Sequence, residues 1–370
     1  MLAVTIATRT TARPIQDSLR PIAHPVTMAT VIEITADEPP RCPPPPEPRT
    51  DPRLGSILDG RYRIVSRVAA GGMGVVYRAE RLGLHRSVAI KFLHEAAAAT
   101  SELRRRFGIE ARAASRMRHP NCVAVIDYGL DGDAPYLVMD FVVGRTLASL
   151  LREGSLSVPR ALRIGSQVLA GLAHAHGHGI IHRDIKPANI LVWSDAMGEH
   201  AQLTDFGVAK VEGAPSGLSQ DCAIGTPSYM SPEQTLGTPV DARSDVYGAG
   251  VLLYELLAER KPFAAPTPFD VMWLHRESPV PAFDDTAAHR LIPVEIEGVV
   301  RRALAKAPDD RYASARQFAA ALEAAAATAH DATDDDDLAA MLAASRAQPP
   351  WLKLALAAIL WSLAIAFWLP

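Results

Sequence analysis

The sequence predicts an α+β fold in two lobes, a strand-rich front followed by a helix-rich back. Three observations carry this. Between residues 61 and 141, apolar positions alternate with polar ones in several short runs, the period of a half-buried strand. From about residue 145 they recur at spacings of three and four, the period of a helix face. The change falls near Asp140–Gly144, short enough to be a connection between two packed layers.

Taken in order, residues 1–60 read as a disordered tail. Pro39, Pro40, Pro43 to Pro46, Pro48 and Pro52 supply no backbone donors, and apolar periodicity is poor. Order is expected to begin at Arg61-Tyr62-Arg63-Ile64-Val65. A first strand runs through Val68, a second covers Val75–Ala79 and a third Ser87–Lys91. Glu102 to Arg118 predicts a helix, with Leu103, Phe107, Ala111 and Ala114 on one face. Two more strands are predicted at Val123–Tyr128 and Tyr136–Phe141, which closes a first lobe over 61–143. The second lobe, 144–327, carries helical patterns at Val158–His176, Asp241–Leu257, Phe269–His275, Pro293–Ala305 and Ala315–Ala327. Residues 328–350 read as a linker, acidic from Asp331 to Asp337 and broken by Pro349-Pro350.

The bulk numbers exclude several classes. With 38 basic against 41 acidic residues the net charge is −3, so no nucleic-acid partner is implied. The three cysteines, Cys42, Cys122 and Cys222, are odd in number and widely spaced, which suits a reducing compartment. No basic stretch followed by an apolar run opens the chain, so no secretory signal is expected.

Chemistry concentrates in His182-Arg183-Asp184-Ile185-Lys186-Pro187-Ala188-Asn189, followed sixteen residues on by Asp205-Phe206-Gly207. The first stretch offers a carboxylate for a hydroxyl nucleophile, a nearby lysine and a carboxamide able to hold a metal. The second offers another carboxylate for a metal. Phosphoryl transfer needs these parts, because its work is mostly positioning and charge neutralisation. A loop poor in Cβ atoms, Val68-Ala69-Ala70-Gly71-Gly72-Met73-Gly74-Val75-Val76, can bring backbone N–H groups near phosphate oxygens. Alone it reads more readily as a plain hairpin turn. Fifteen residues after Val76, Lys91 stands in the apolar run Val88-Ala89-Ile90-Lys91, where an ammonium needs a reason to be.

These motifs resemble the eukaryotic-like Ser/Thr protein kinases over about residues 62–325. The resemblance implies a two-lobed kinase fold and ATP with Mg²⁺, or Mn²⁺ in its place, as cofactors. It implies protein Ser and Thr hydroxyls as acceptors. Asp184 would orient the attacking hydroxyl and Lys186 would neutralise charge on the transferred group. Asn189 and Asp205 would hold the metal. Residues 68–76, Ala89, Lys91, Met139, Asp140, Val142 and Leu191 would line the nucleotide site. Glu110 would pair with Lys91; a pair with Arg106 stays open, and Glu102 is a weaker rival for the role. Ala69 departs from the family by standing where the first loop glycine is usual.

His182, Phe206, Glu233, Asp245 and Arg311 would be structural, Glu233 pairing with Arg311 and Asp245 anchoring the catalytic loop. Ser-Pro-Glu at 231–233 replaces the commoner Ala-Pro-Glu. Arg183 before Asp184 implies control by phosphorylation, with Ser219 and Ser216 as candidate sites; ordinary loop serines are the other reading. A pseudokinase scaffold and a small-molecule phosphotransferase also stay open. The first has only Ala69 in support, and Gly225–Glu233 opposes the second.

Last comes Leu354–Leu369, whose only polar member is Ser362. As a helix it would measure about 24 Å against a hydrocarbon core of roughly 30 Å. Trp351, Trp361 and Trp368 place aromatics at both ends, and Arg346 and Lys353 flank the N-terminal side. The expectation is a single membrane span over 351–369 with the catalytic part on the cytoplasmic face; a tail folded onto the domain is the alternative.

Overall fold

The structure is a computed structural model that describes residues 51–71, 74–93, 100–206, 227–283 and 292–329. The first lobe is a six-stranded antiparallel sheet with one helix. Its strands are β1 (Ile57–Leu58), β2 (Tyr62–Gly71), β3 (Gly74–Arg81), β4 (Arg86–Leu93), β5 (Val125–Asp131) and β6 (Ala134–Asp140), in the order β1-β2-β3-β4-β6-β5. Helix α1 (Ser101–Ala114) lies between β4 and β5 and opens on Thr100, whose hydroxyl accepts the Leu103 N–H at 3.1 Å. It stops at Ala114, four residues short of the expected Arg118, and Ser115 caps it.

Strand alternation sets which residues meet the nucleotide side. In β4, Val88, Ile90 and Phe92 join Tyr62, Tyr77, Tyr136 and Val138 in a small outer core. Ala89, Lys91 and Leu93 therefore point the other way, toward the second lobe. In β6 the same rule puts Leu137 and Met139 in the main core, and the register places Ala89 opposite Met139 and Lys91 opposite Leu137.

The expected tail is too long. Residues 51–60 fold onto the sheet: β1 pairs with β2, the Tyr77 hydroxyl donates to Asp51 at 2.6 Å, and the Arg53 guanidinium sits 4.3 Å from the Phe92 ring centre. The segment has no period to read. It is held by partners that buried tyrosine hydroxyls require.

The second lobe is mostly helical. It contains β7 (Arg145–Thr146), α2 (Leu147–Glu153), α3 (Val158–Gly177), β8 (Ile190–Asp195), β9 (Gly198–Leu203), α4 (Pro232–Leu236), α5 (Ala242–Ala258), α6 (Pro268–Glu277) and α7 (Val294–Ala303). A last helix, α8, covers 315–329, two residues past the expected boundary. Helix α5 is buried almost all round, from Ser244 to Ala258, so it is the axis on which α3 and α7 pack. The small β7-β8-β9 sheet was not expected, because β7 has two residues and β9 reads Gly-Glu-His-Ala-Gln-Leu with little alternation. It matters nonetheless: the catalytic loop leads into β8, and Asp205 follows β9 after one residue. The segment at 351–369 lies outside the described residues, among which no helix is long and apolar enough to cross a membrane.

Candidate active site

The loop His182–Asn189 is fixed from below by Asp245, on the first turn of α5. Its carboxylate accepts the backbone N–H of His182 at 2.7 Å and that of Arg183 at 2.8 Å. It also meets His176 Nε2 at 2.8 Å. Asp245 is 1% exposed, so two backbone donors and an imidazole satisfy a buried carboxylate that would otherwise be costly. His182 is fully buried, its Nε2 is 2.9 Å from the Thr204 carbonyl, and its ring packs 4.8 Å from Phe206. Burial pushes the His182 pKa down, against the pull of Asp245 and Asp184, and so favours the neutral ring. One residue thus ties the catalytic loop to the strand end that carries Asp205.

The chemistry-bearing side chains converge as the sequence implies. Lys186 Nζ lies 2.8 Å from Asp184 Oδ2. The Asn189 amide donates to both the Asp184 carbonyl and its Oδ2, each at 2.8 Å. With both amide hydrogens turned to Asp184, Oδ1 of Asn189 is the atom able to take a cation. Arg183 and Asp205 both adopt φ of 62°, in the left-handed region that non-glycine residues enter at a cost. The surrounding bonds hold them there, which aims Asp184 and Asp205 into the cleft.

Lys91 departs from expectation. Its side chain is 8% exposed, and its ammonium bonds Asp205 Oδ1 at 2.8 Å, a partner the sequence reading did not name. Helix α1 does turn Glu110 to the same face as Phe107, Ala111 and Ala114, and the residue is half-buried there. The strained turn at Asp205 brings the other carboxylate directly to the buried ammonium, which takes the anion within hydrogen-bond reach.

Around this centre, Met139 is buried, and Ala89, Val142 and Leu191 pack against the same core, an apolar wall drawn from both lobes and their connection. Asp140 accepts from Arg86 Nη2 at 2.6 Å and carries the chain out of β6. In the phosphate loop, Val68 is exposed, Ala69 pairs with Val76, Ala70 with Val75, and Gly71 with Gly74. Gly74 has φ of 142°, and a Cβ there would sit 1.9 Å from the Phe92 carbonyl oxygen. Gly72, Met73, Ser216 and Ser219 lie outside the described residues.

At the start of α4, Glu233 forms a bidentate pair with Arg311 at 2.8 and 2.9 Å. Ser244 Oγ donates to the same carboxylate at 2.5 Å. Burial alone would raise the Glu233 pKa, but Arg311 and Ser244 hold it at about 2. Arg311 also reaches the carbonyls of Arg243, Ala305 and Lys306, so it knots three segments together.

Two participants escape sequence reasoning. His176 belongs to an alternating set, His174, His176 and His178, that resembles metal ligands on paper. It buttresses Asp245, while His174 stacks on His119 at 4.9 Å. Gln234, on α4, donates to the Arg183 carbonyl at 2.9 Å and so links that helix to the catalytic loop. The capping box of Ser231 and Gln234 was the readable sign of that helix.

A buried anchor under an Asp-Lys-Asn loop, a second aspartate on a strained turn, and a strand lysine bonded to it together define a phosphoryl-transfer site between two lobes. The protein kinase domain family model matches residues 62–322, and the chain belongs to that family. Serine/threonine-protein kinase pkn2 of Myxococcus xanthus is 42% identical over 272 residues, 73% of this chain and 33% of that protein. PknL of Mycobacterium tuberculosis is 39% identical over 277 residues, 75% of this chain and 68% of that one. Among solved structures, the PknI kinase domain of M. tuberculosis superimposes with a TM-score of 0.59 at 30% identity, covering 74% of this chain and 98% of that one. Several curated relatives are much longer: the chain spans 33%, 52% and 40% of three of them.

Proposed function

We propose that this chain transfers the γ-phosphoryl group of ATP to Ser and Thr hydroxyls of proteins. The observation that carries the reading is the convergence of Lys186 and Asn189 on Asp184, with Lys91 on Asp205. Asp184 orients the acceptor hydroxyl and takes its proton as the bond from that oxygen to the γ-phosphorus forms and the bond to the bridging oxygen breaks, releasing ADP. Lys186, already within 2.8 Å of Asp184, neutralises the charge passing between the two oxygens. Lys91 fixes the α- and β-phosphates. Asn189 Oδ1 and the Asp205 carboxylate suit a hard cation that keeps most of its waters, Mg²⁺ or Mn²⁺, which would supply charge neutralisation across the phosphates. The wall of Ala89, Met139, Val142 and Leu191 suits a flat apolar base.

The acceptors include the chain's own segment between Asp205 and Glu233, with Ser219 and Ser216 as sites. Residues 351–369 anchor the chain in the cell membrane with the catalytic domain on the cytoplasmic side, as the flanking Arg346 and Lys353 favour. The test is incubation of the full chain with γ-labelled ATP and Mg²⁺, followed by mapping of labelled residues. Label on serine or threonine supports the reading. ATP bound without transfer would make the chain a scaffold.

A further inference from the structure

Lined by none of the groups assigned above, an apolar cleft of about 720 Å³ opens between three helices of the second lobe. Val158 and Leu162 of α3 form one wall, Pro293 and Ile296 at the start of α7 the second, and Leu322 and Ala326 of α8 the third. Ile296 and Leu322 are buried at its floor, while the other four stay partly accessible. Its size is that of pockets that bury apolar ligands, roughly 300–1,000 Å³.

We propose that the cleft receives the apolar segment Leu354–Leu369 of the same chain whenever that segment is not in a bilayer. This rests on reading the segment as a membrane anchor, since such a sequence needs cover in water. Three features select this occupant. Ala329 belongs to the cleft's own lining, so the residues that follow it start from the rim. Residues 330–353 then tether the segment, and a random coil of 24 residues has a root-mean-square span of about 27 Å, enough to turn back. Tethering at that length gives a local concentration on the order of millimolar, which offsets a modest affinity. The segment is apolar on every side, so any turn of it presents leucine, isoleucine or tryptophan to the cleft. The volume admits a few of these side chains, so docking covers part of the segment and competes with the bilayer for the rest.

Hydrogen exchange on the full chain, without vesicles, tests this and needs no catalysis. Amides of 158–167 and 322–329 should exchange about tenfold more slowly in the parent than in the Leu356→Asp/Leu360→Asp variant, as expected when a local opening is suppressed. Leu162→Glu should abolish the difference from the cleft side, and its melting temperature reports whether it folds. Equal exchange in parent and tail variant overturns the proposal. Protection that disappears on hundredfold dilution also overturns it, because the occupant would then be another copy. Phosphatidylcholine vesicles should release the protection. If protection persists there, docking stands and the membrane reading fails.

Discussion

Single residues carry the chemistry, and each can be separated from its neighbours. Asp184→Asn keeps the shape that accepts Asn189 and removes the base; transfer should fall about 10²-fold or more while ATP binding persists. Near-parental turnover in a peptide assay would remove Asp184 from its role. Lys91→Met removes the phosphate-binding charge and the partner of Asp205, so activity should fall on the order of 10²-fold through misplaced phosphates. A nucleotide-binding assay beside the turnover measurement checks the cause. Glu233 gives a pH signature. Its folded pKa of about 2 lies below the ordinary 4.5, so its pair with Arg311 contributes stability above pH 4.5 that is lost as pH falls toward 2. Melting curves across that window should be flatter for Glu233→Gln. At neutral pH, Arg311→Ala should cost about 3–5 kcal/mol, because it strands a buried carboxylate. Asp184, Lys186, Asn189 and Asp205 were legible because phosphoryl transfer demands those types at those spacings. The bond from Lys91 to Asp205 was not: a turn at φ of 62° brings that carboxylate to the ammonium, and no side-chain pattern encodes it.

At the scale of elements, the chain spends its most demanding backbone on the phosphate loop. Strands β2 and β3 run on to Gly71 and Gly74, farther than the alternation of apolar residues shows, because backbone pairing continues where side chains are small. Gly74 then passes so near the Phe92 carbonyl that no Cβ fits. Gly74→Ala should carry about 1–3 kcal/mol of strain, pushing the loop off the sheet. The expected outcome is a KM for ATP raised several-fold with kcat changed less, and a fall in melting temperature; an unchanged KM would mean the loop does not place the phosphates. The long elements were readable. Helix α3 buries eight positions at helical spacing, α5 is a 17-residue run that is apolar for most of its length, and β4 and β6 are strongly apolar runs. The small β7-β8-β9 sheet and α4 show no period, since elements of two to six residues give too few repeats, and α4 is marked only by its capping box. Yet these short pieces hold the catalytic loop: β8 continues from Asn189, and α4 sends Gln234 to Arg183.

Across the whole molecule, the division into lobes follows from where the period of the apolar pattern changes, and β6 ends at Asp140, where the connection was expected. What the pattern missed at the front was the segment 51–60. Its affinity for the sheet comes from aspartate and arginine side chains meeting buried tyrosines and a phenylalanine, contacts that have no sequence period. The back end poses the opposite case, a segment with an unmistakable composition and a choice of two apolar environments. Cutting the chain after Gln348 removes that segment and leaves every active-site group in place, because the last of them is Arg311. The shortened chain should turn over a soluble peptide at the parental rate and appear in the soluble fraction. The full chain should stay with membranes through a carbonate wash, since about sixteen apolar residues gain more from hydrocarbon than from a cleft that admits only a few of them. Release of the full chain by carbonate, or loss of folding in the shortened one, would make the segment a permanent part of the domain's core and remove the membrane from its function.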